Sequence, residues 1–386
     1  MIVFVEILKQ KKTGFRKEIT FFKAGKSAAA WKENCGSKTL IMNKLKIKLL
    51  FVLCFFLIEG LNAQTFTNPL LPSGADPYSY YKDGYYYYTH TTGNRVDLWK
   101  TKTLDGLKDA ERKTIWKAPT EAMYSKEIWA PEVMFLRGKW YAYFAADDGR
   151  NENHRMYVLE NASADPMKGE WIFKGKIADP TDKWAIDGDV IDFKGQLYMI
   201  WSGWEGDKNG KQEIFIAKLK NPWTVDGQRV KISSPRFDWE KNGDLGGGEH
   251  VDVNEGPQFL VHGDKVFIIY SASGCWTDFY ALGMLSASAK SNLLDPKSWT
   301  KADQPVFQQS PKNGVYAPGH NSFFKSPDGK EDWILYHAND KPGQGCGGFR
   351  SPRAQKFSWN SDGTPNFGTP VKVGKSLTSP SNRNKK

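Results

Sequence analysis

The sequence predicts an all-β chain folded as a five-bladed β-propeller, and three observations carry that prediction. One short strand pattern recurs at a blade-sized period, each copy turns on a glycine, and helical periodicity is nearly absent.

The copies read ADPYSYYKDGYYYYTHT from Ala75, APEVMFLRGKWYAYFAA from Ala130, IDGDVIDFKGQLYMIWSG from Ile186, NEGPQFLVHGDKVFIIYSAS from Asn254, and GHNSFFKSPDGKEDWILYHAN from Gly319. Their turn glycines, Gly84, Gly138, Gly195, Gly263 and Gly329, are 54, 57, 68 and 66 residues apart. That spacing suits four short antiparallel strands per unit plus loops. Each copy reads as a hairpin, because a glycine turn joins two β-rich runs. Asp165-Pro166, Asn221-Pro222 and Asp295-Pro296 between the hairpins are loop signals.

Counting back eight positions from the glycines gives Asp76, Ala130, Asp187 and Glu255; His320 stands nine before Gly329. Equivalent positions of a propeller surround one end of its central channel, so three acids and a histidine are expected to converge there. Acids before a strand also serve as ordinary turn formers. Three at one register, however, suggest a site in which mutual repulsion and burial tune proton transfer. Most of the aromatic residues, 14% of the chain, are expected to pack between blades; Trp129, immediately before the position equivalent to the acids, is the candidate for stacking on a flat ligand face.

The ends are read separately. Residues 42–63 have lysines 44, 46 and 48, an apolar run from Leu49 to Ile58, and a close at Leu61-Asn62-Ala63. That is the pattern of an export signal, with an apolar run short for a membrane span. Residues 1–41 resemble neither signal nor domain, which points to Met42 as the true start. Residues 64–375 are assigned to the propeller and 376–386 to a polar, disordered tail. Of the formal net charge of +11, residues 64–386 keep only +3, which gives no case for nucleic-acid binding. An exported chain would keep Cys275 and Cys346; one disulfide and two free thiols are both compatible with the spacing.

At Ala75-Asp76-Pro77, Ile186-Asp187 and Asn254-Glu255-Gly256-Pro257, with Trp129-Ala130-Pro131 and Gly319-His320-Asn321-Ser322 between and after, the chain resembles glycoside hydrolase family 43 from about Asn68 to Pro370. The resemblance implies an inverting hydrolase with Asp76 as general base, Glu255 as general acid and Asp187 orienting that acid and raising its pKa. It also implies sugar contacts from His320 and Arg350, with Arg353 a rival for the latter, and a calcium or other ion held near His320 through water. No cofactor is expected for the chemistry. Where Ile-Asp-Pro is common in the family this chain reads Ile-Asp-Gly, leaving Asp189 a second candidate for the orienting role; Asp187 is preferred for its offset. The first blade most resembles arabinofuranosidases, so the implied activity is exo-acting α-L-arabinofuranosidase on an oligo- or polysaccharide, by a secreted or periplasmic monomer. β-Xylosidase, endo-arabinanase and galactofuranosidase are alternatives, and a non-catalytic sugar-binding propeller is a more distant one. The retaining invertase and levansucrase group is disfavoured, since its Asn-Asp-Pro-Asn and Arg-Asp-Pro signatures are missing.

Overall fold

A computed structural model describes residues 64–381. The expected extension, export signal, Cys35 and Cys54 lie outside the described residues. Among the described residues no helix is long and apolar enough to cross a membrane.

The architecture is all-β. The first antiparallel sheet contains strands Tyr78–Lys82, Tyr85–Thr89, Arg95–Thr101 and Glu111–Lys117, and the second Lys126–Leu136, Lys139–Asp147, Arg155–Asn161 and Ile172–Ile177. The next run is Ala185–Phe193, Gln196–Gly203, Lys211–Asn221 and Thr224–Ser233. A short parallel pairing of Lys211 with Asp252 and Gln212 with Val253 joins it to Asp252–His262, Lys265–Ala272, Ala281–Ser288 and Thr300–Lys301. Tyr316–Lys325, Asp332–Asn339, Ser351–Trp359 and Pro365–Asn366 follow. The leading strand of each run touches the leading strand of the next, and Tyr316–Lys325 returns to Tyr78–Lys82.

The expected hairpins form where the glycines lie. Asp83–Gly84, Arg137–Gly138 and Lys194–Gly195 all have positive φ at both turn residues, as the two-residue turn matching strand twist requires. The tyrosine run shows why such sequences make strands: Tyr86 and Tyr88 face Phe324 and Trp333, while Tyr87 faces Trp140 on the other side. Both faces of these strands are buried, so the core is a series of layers between sheets. Trp140 is wholly buried in one of them, and truncating it to alanine would cost about 3–5 kcal/mol.

The described part of the tail, residues 376–381, corrects an expectation. Ser376–Thr378 is a strand paired antiparallel with Thr65–Thr67, Leu377 lying opposite Phe66. The Ser379 amide donates to the Gln64 carbonyl at 2.7 Å, and the Ser379 hydroxyl to Asp105 at 2.9 Å. Low apolar content had suggested disorder, but backbone pairing with a partner far away in sequence supplies what the segment's composition lacks.

Candidate active site

The leading strands share a local irregularity that aims side chains into the site. Pairing slips by one residue between Trp129 and Glu132, Ile186 and Asp189, Glu255 and Gln258, and Gly319 and Ser322. Such a bulge bends its strand and redirects a side chain. Within each slip one residue is left-handed: Ala130 (φ 43°), Asp187 (56°), Gly256 (54°) and His320 (47°); Asp76 (58°) has the same conformation in the first unit. For a residue other than glycine that conformation costs roughly 1–2 kcal/mol, so the surrounding fold must enforce it.

The common register expected for the three acids is thereby corrected. Gly256, not Glu255, is the counterpart of Asp76, Ala130, Asp187 and His320. The reason is the turn: Gly263 is the first residue of its two-residue loop, whereas Gly84, Gly138 and Gly195 are the second of theirs. Glu255 nevertheless reaches the same space. Asp76, Asp187, Glu255, Trp129, His320 and Arg350 all line one cavity of about 630 Å³.

Asp76 is 8% exposed and heavily bonded. Its Oδ1 accepts from Arg350 at 3.1 Å and lies 3.3 Å from Nδ1 of His320; its Oδ2 accepts from the Thr91 hydroxyl at 2.6 Å. Thr91 in turn accepts from the Ala130 amide at 2.8 Å, and the Asp76 amide donates to Nδ1 of His337 at 3.0 Å. Burial would raise the Asp76 carboxyl, but the Arg350 guanidinium, the two imidazoles and Thr91 together hold it well below the usual carboxylate range.

The other two acids are pushed the opposite way. Burial is the main cause for Glu255, raised to about 7; the negative charge of Asp76 adds to it, while the Tyr280 hydroxyl, donating to Oε1 at 2.7 Å, opposes it. Asp187 is also raised, by burial and by the charges of Glu255 and Asp76, although it accepts the Gly256 amide at 2.9 Å. Asp187 and Glu255 thus titrate as a pair that favours retaining a proton.

Asp189 does not line this cavity. It is buried, accepts the Phe259 amide at 2.8 Å, and interacts with Glu132, which in turn accepts from Gln258. Arg353 is also removed from it, fully buried and bonded to Asp340 and Ser351. Trp129 stacks on His154 at 4.1 Å and donates to Glu127 at 2.9 Å, which fixes its indole at the cavity wall. A cation ligated directly by His320 and Asp76 would meet the Arg350 guanidinium. Among the described residues no group of three His, Cys, Asp or Glu side chains is placed to hold a metal.

Sequence reasoning missed Tyr280, Thr91 and His337. None belongs to the start of a leading strand, where the repeat gave its signal. The cysteines also prove relevant: Cys275 and Cys346 form a disulfide with a Cα–Cα distance of 5.2 Å, and both line the cavity.

The family model described as Glycosyl hydrolases family 43 matches residues 66–365. An extracellular exo-α-(1→5)-L-arabinofuranosidase of Streptomyces avermitilis is 43% identical, over 80% of this chain and 64% of its own length. Alpha-L-arabinofuranosidase 43 of Humicola insolens is 36% identical, over 81% and 65%. The chain therefore spans slightly less than two thirds of these two relatives. A crystal structure of an alpha-L-arabinofuranosidase from Lactobacillus brevis is similar with a TM-score of 0.74 and 38% identity, covering 80% of this chain and 98% of that one.

Proposed function

The chain belongs to glycoside hydrolase family 43, and from that premise we propose that it is an inverting, exo-acting α-L-arabinofuranosidase. In this reading the sheets are the blades of a five-bladed propeller, a reading supported by the closed circle of contacts among leading strands. The relatives named arabinofuranosidases favour arabinofuranose over the xylose, galactofuranose and endo-acting alternatives. The Streptomyces avermitilis relative is named extracellular, and the Cys275–Cys346 bridge suits an oxidising compartment, so the proposed location is outside the cell.

One observation carries the chemistry: in a single cavity Asp76 is held ionised while Glu255 is disposed to stay protonated near neutral pH. Asp76 takes a proton from a water on one face of the terminal sugar. As that water bonds to the anomeric carbon, the glycosidic carbon–oxygen bond breaks and Glu255 passes its proton to the departing oxygen. The sugar leaves with inverted configuration, and exchange with solvent returns each carboxyl to its starting state. Asp187 sits beside Glu255, bonded to the backbone of Gly256, and its own carboxyl is pushed up by burial and by the charges of Glu255 and Asp76.

Proton NMR of the first anomer released from an arabino-oligosaccharide tests the inversion, which predicts the β-anomer first. Asp76→Asn is expected to abolish turnover while leaving the folded structure intact. Release of the α-anomer first, or activity retained by Asp76→Asn, would overturn the assignment.

A further inference from the structure

Beside the carboxylate pocket lies a larger groove, about 1010 Å³, that takes no part in the chemistry above. The two spaces share a wall. Gly93 and Ile128 pair backbone to backbone at 3.0 and 3.2 Å; Thr92, Gly93 and Glu127 face the pocket, whereas Asn94, Arg95 and Lys126 face the groove. The groove thus adjoins the pocket across one backbone pair.

The charges lining the groove define what it would accept. Arg95, Arg112, Lys117 and Lys126 stand against Asp97, Glu121 and Asp148. Two of those carboxylates are committed internally. Asp97 is fully buried and takes Arg95 at 2.8 Å, Arg112 at 2.5 Å and Thr114 at 2.6 Å. Asp148 takes the Asn153 side chain at 2.9 Å and the Arg150 amide at 3.2 Å. Two guanidiniums on one carboxylate leave a positive charge over, and the Arg112 guanidinium is steadied over the Trp99 ring at 4.6 Å.

Among the described residues no aromatic side chain lines the groove, so they offer no stacking platform for a neutral sugar ring. They offer guanidinium and ammonium donors, which match carboxylates. We propose that the groove binds the uronate-bearing backbone of an acidic polysaccharide whose arabinose branch enters the neighbouring pocket. The second half of that statement rests on the arabinofuranosidase reading; binding of a uronate chain does not.

The test is calorimetric titration of the intact protein with a short oligogalacturonide, alongside a neutral arabino-oligosaccharide. The oligogalacturonide is expected to bind at low salt and to weaken as salt screens the contact. The double variant Lys117→Gln/Lys126→Gln should weaken it further by roughly fivefold, in keeping with two exposed charge contacts, and leave the neutral ligand unaffected. KM for an acidic arabinose-bearing polysaccharide should rise in parallel, with KM for a small aryl arabinofuranoside unchanged. Absence of oligogalacturonide binding at low salt, or equal affinity in the double variant, would overturn the groove assignment. Salt-sensitive oligogalacturonide binding by a protein that cleaves no arabinofuranoside would leave the groove standing and overturn the arabinofuranosidase reading instead.

Discussion

The Tyr280 hydroxyl donates to Oε1 of Glu255 across 2.7 Å, and the Tyr280 ring lies parallel to that of His337, the two planes differing by 4°. The aromatic contact holds the phenol where it engages one oxygen of the carboxyl, leaving Oε2 to carry the proton. His337 also accepts the Asp76 amide, so one stacked pair touches both the proposed acid and the proposed base.

Tyr280→Phe should therefore change the pH profile. The hydroxyl favours the ionised form of Glu255, so its removal raises that carboxyl further. Activity requiring a protonated acid is lost as pH rises, and the alkaline limb of kcat/KM should move upward by about 1 unit, the scale of one hydrogen bond to a charged group. A downward move would show that Tyr280 acts otherwise.

Arg350→Met acts on the opposite limb. The guanidinium is the chief influence holding Asp76 below its ordinary range against burial. Without it, burial raises the carboxyl, and activity that needs Asp76 ionised should begin to fail at a higher pH on the acid side. Rate measurements from pH 3 to 7 with an aryl arabinofuranoside read this shift; an unmoved acid limb would count against the pairing.

Glu255→Gln removes the transferable proton but preserves shape. Hydrolysis of an oligosaccharide, with its poor leaving group, should fall by about 10²–10⁴-fold, whereas a dinitrophenyl glycoside should lose far less. Equal losses on both substrates would deny Glu255 the role of acid.

Reduction of Cys275–Cys346, or Cys346→Ser, should loosen the cavity rim. The bridge spans a sequence separation of 71 residues, for which the chain-entropy account gives about 4 kcal/mol. It fixes the segment bearing Arg350 against the one bearing Trp276, both of which line the cavity. The expected result is a lower Tm together with a raised KM; a lower Tm with KM intact would confine the bridge to stability.

The strands were legible because Gly84, Gly138 and Gly195 occupy turn positions whose positive φ few other residues tolerate. Asp76 and Asp187 were legible because they precede such turns by a constant count. Glu255 lines the cavity although the fourth hairpin does not obey the count that singles it out; its motif with Gly256 and Pro257 is the independent signal. Tyr280, Thr91 and His337 arrive from elsewhere in the chain and carry no repeat, so their convergence is a product of tertiary packing alone. The cysteine pairing was equally unreadable, since two thiols so far apart in sequence define no framework.

Thr65–Thr67 lies alongside Ser376–Thr378, so the polypeptide enters and leaves the body at one doorway. A circular permutant that fuses those neighbouring ends through a short flexible linker, and reopens the chain at the exposed Asp362–Gly363 turn, should keep its hydrolytic machinery undisturbed. Cargo grafted at Gln64 would be tethered beside cargo grafted at Ser379.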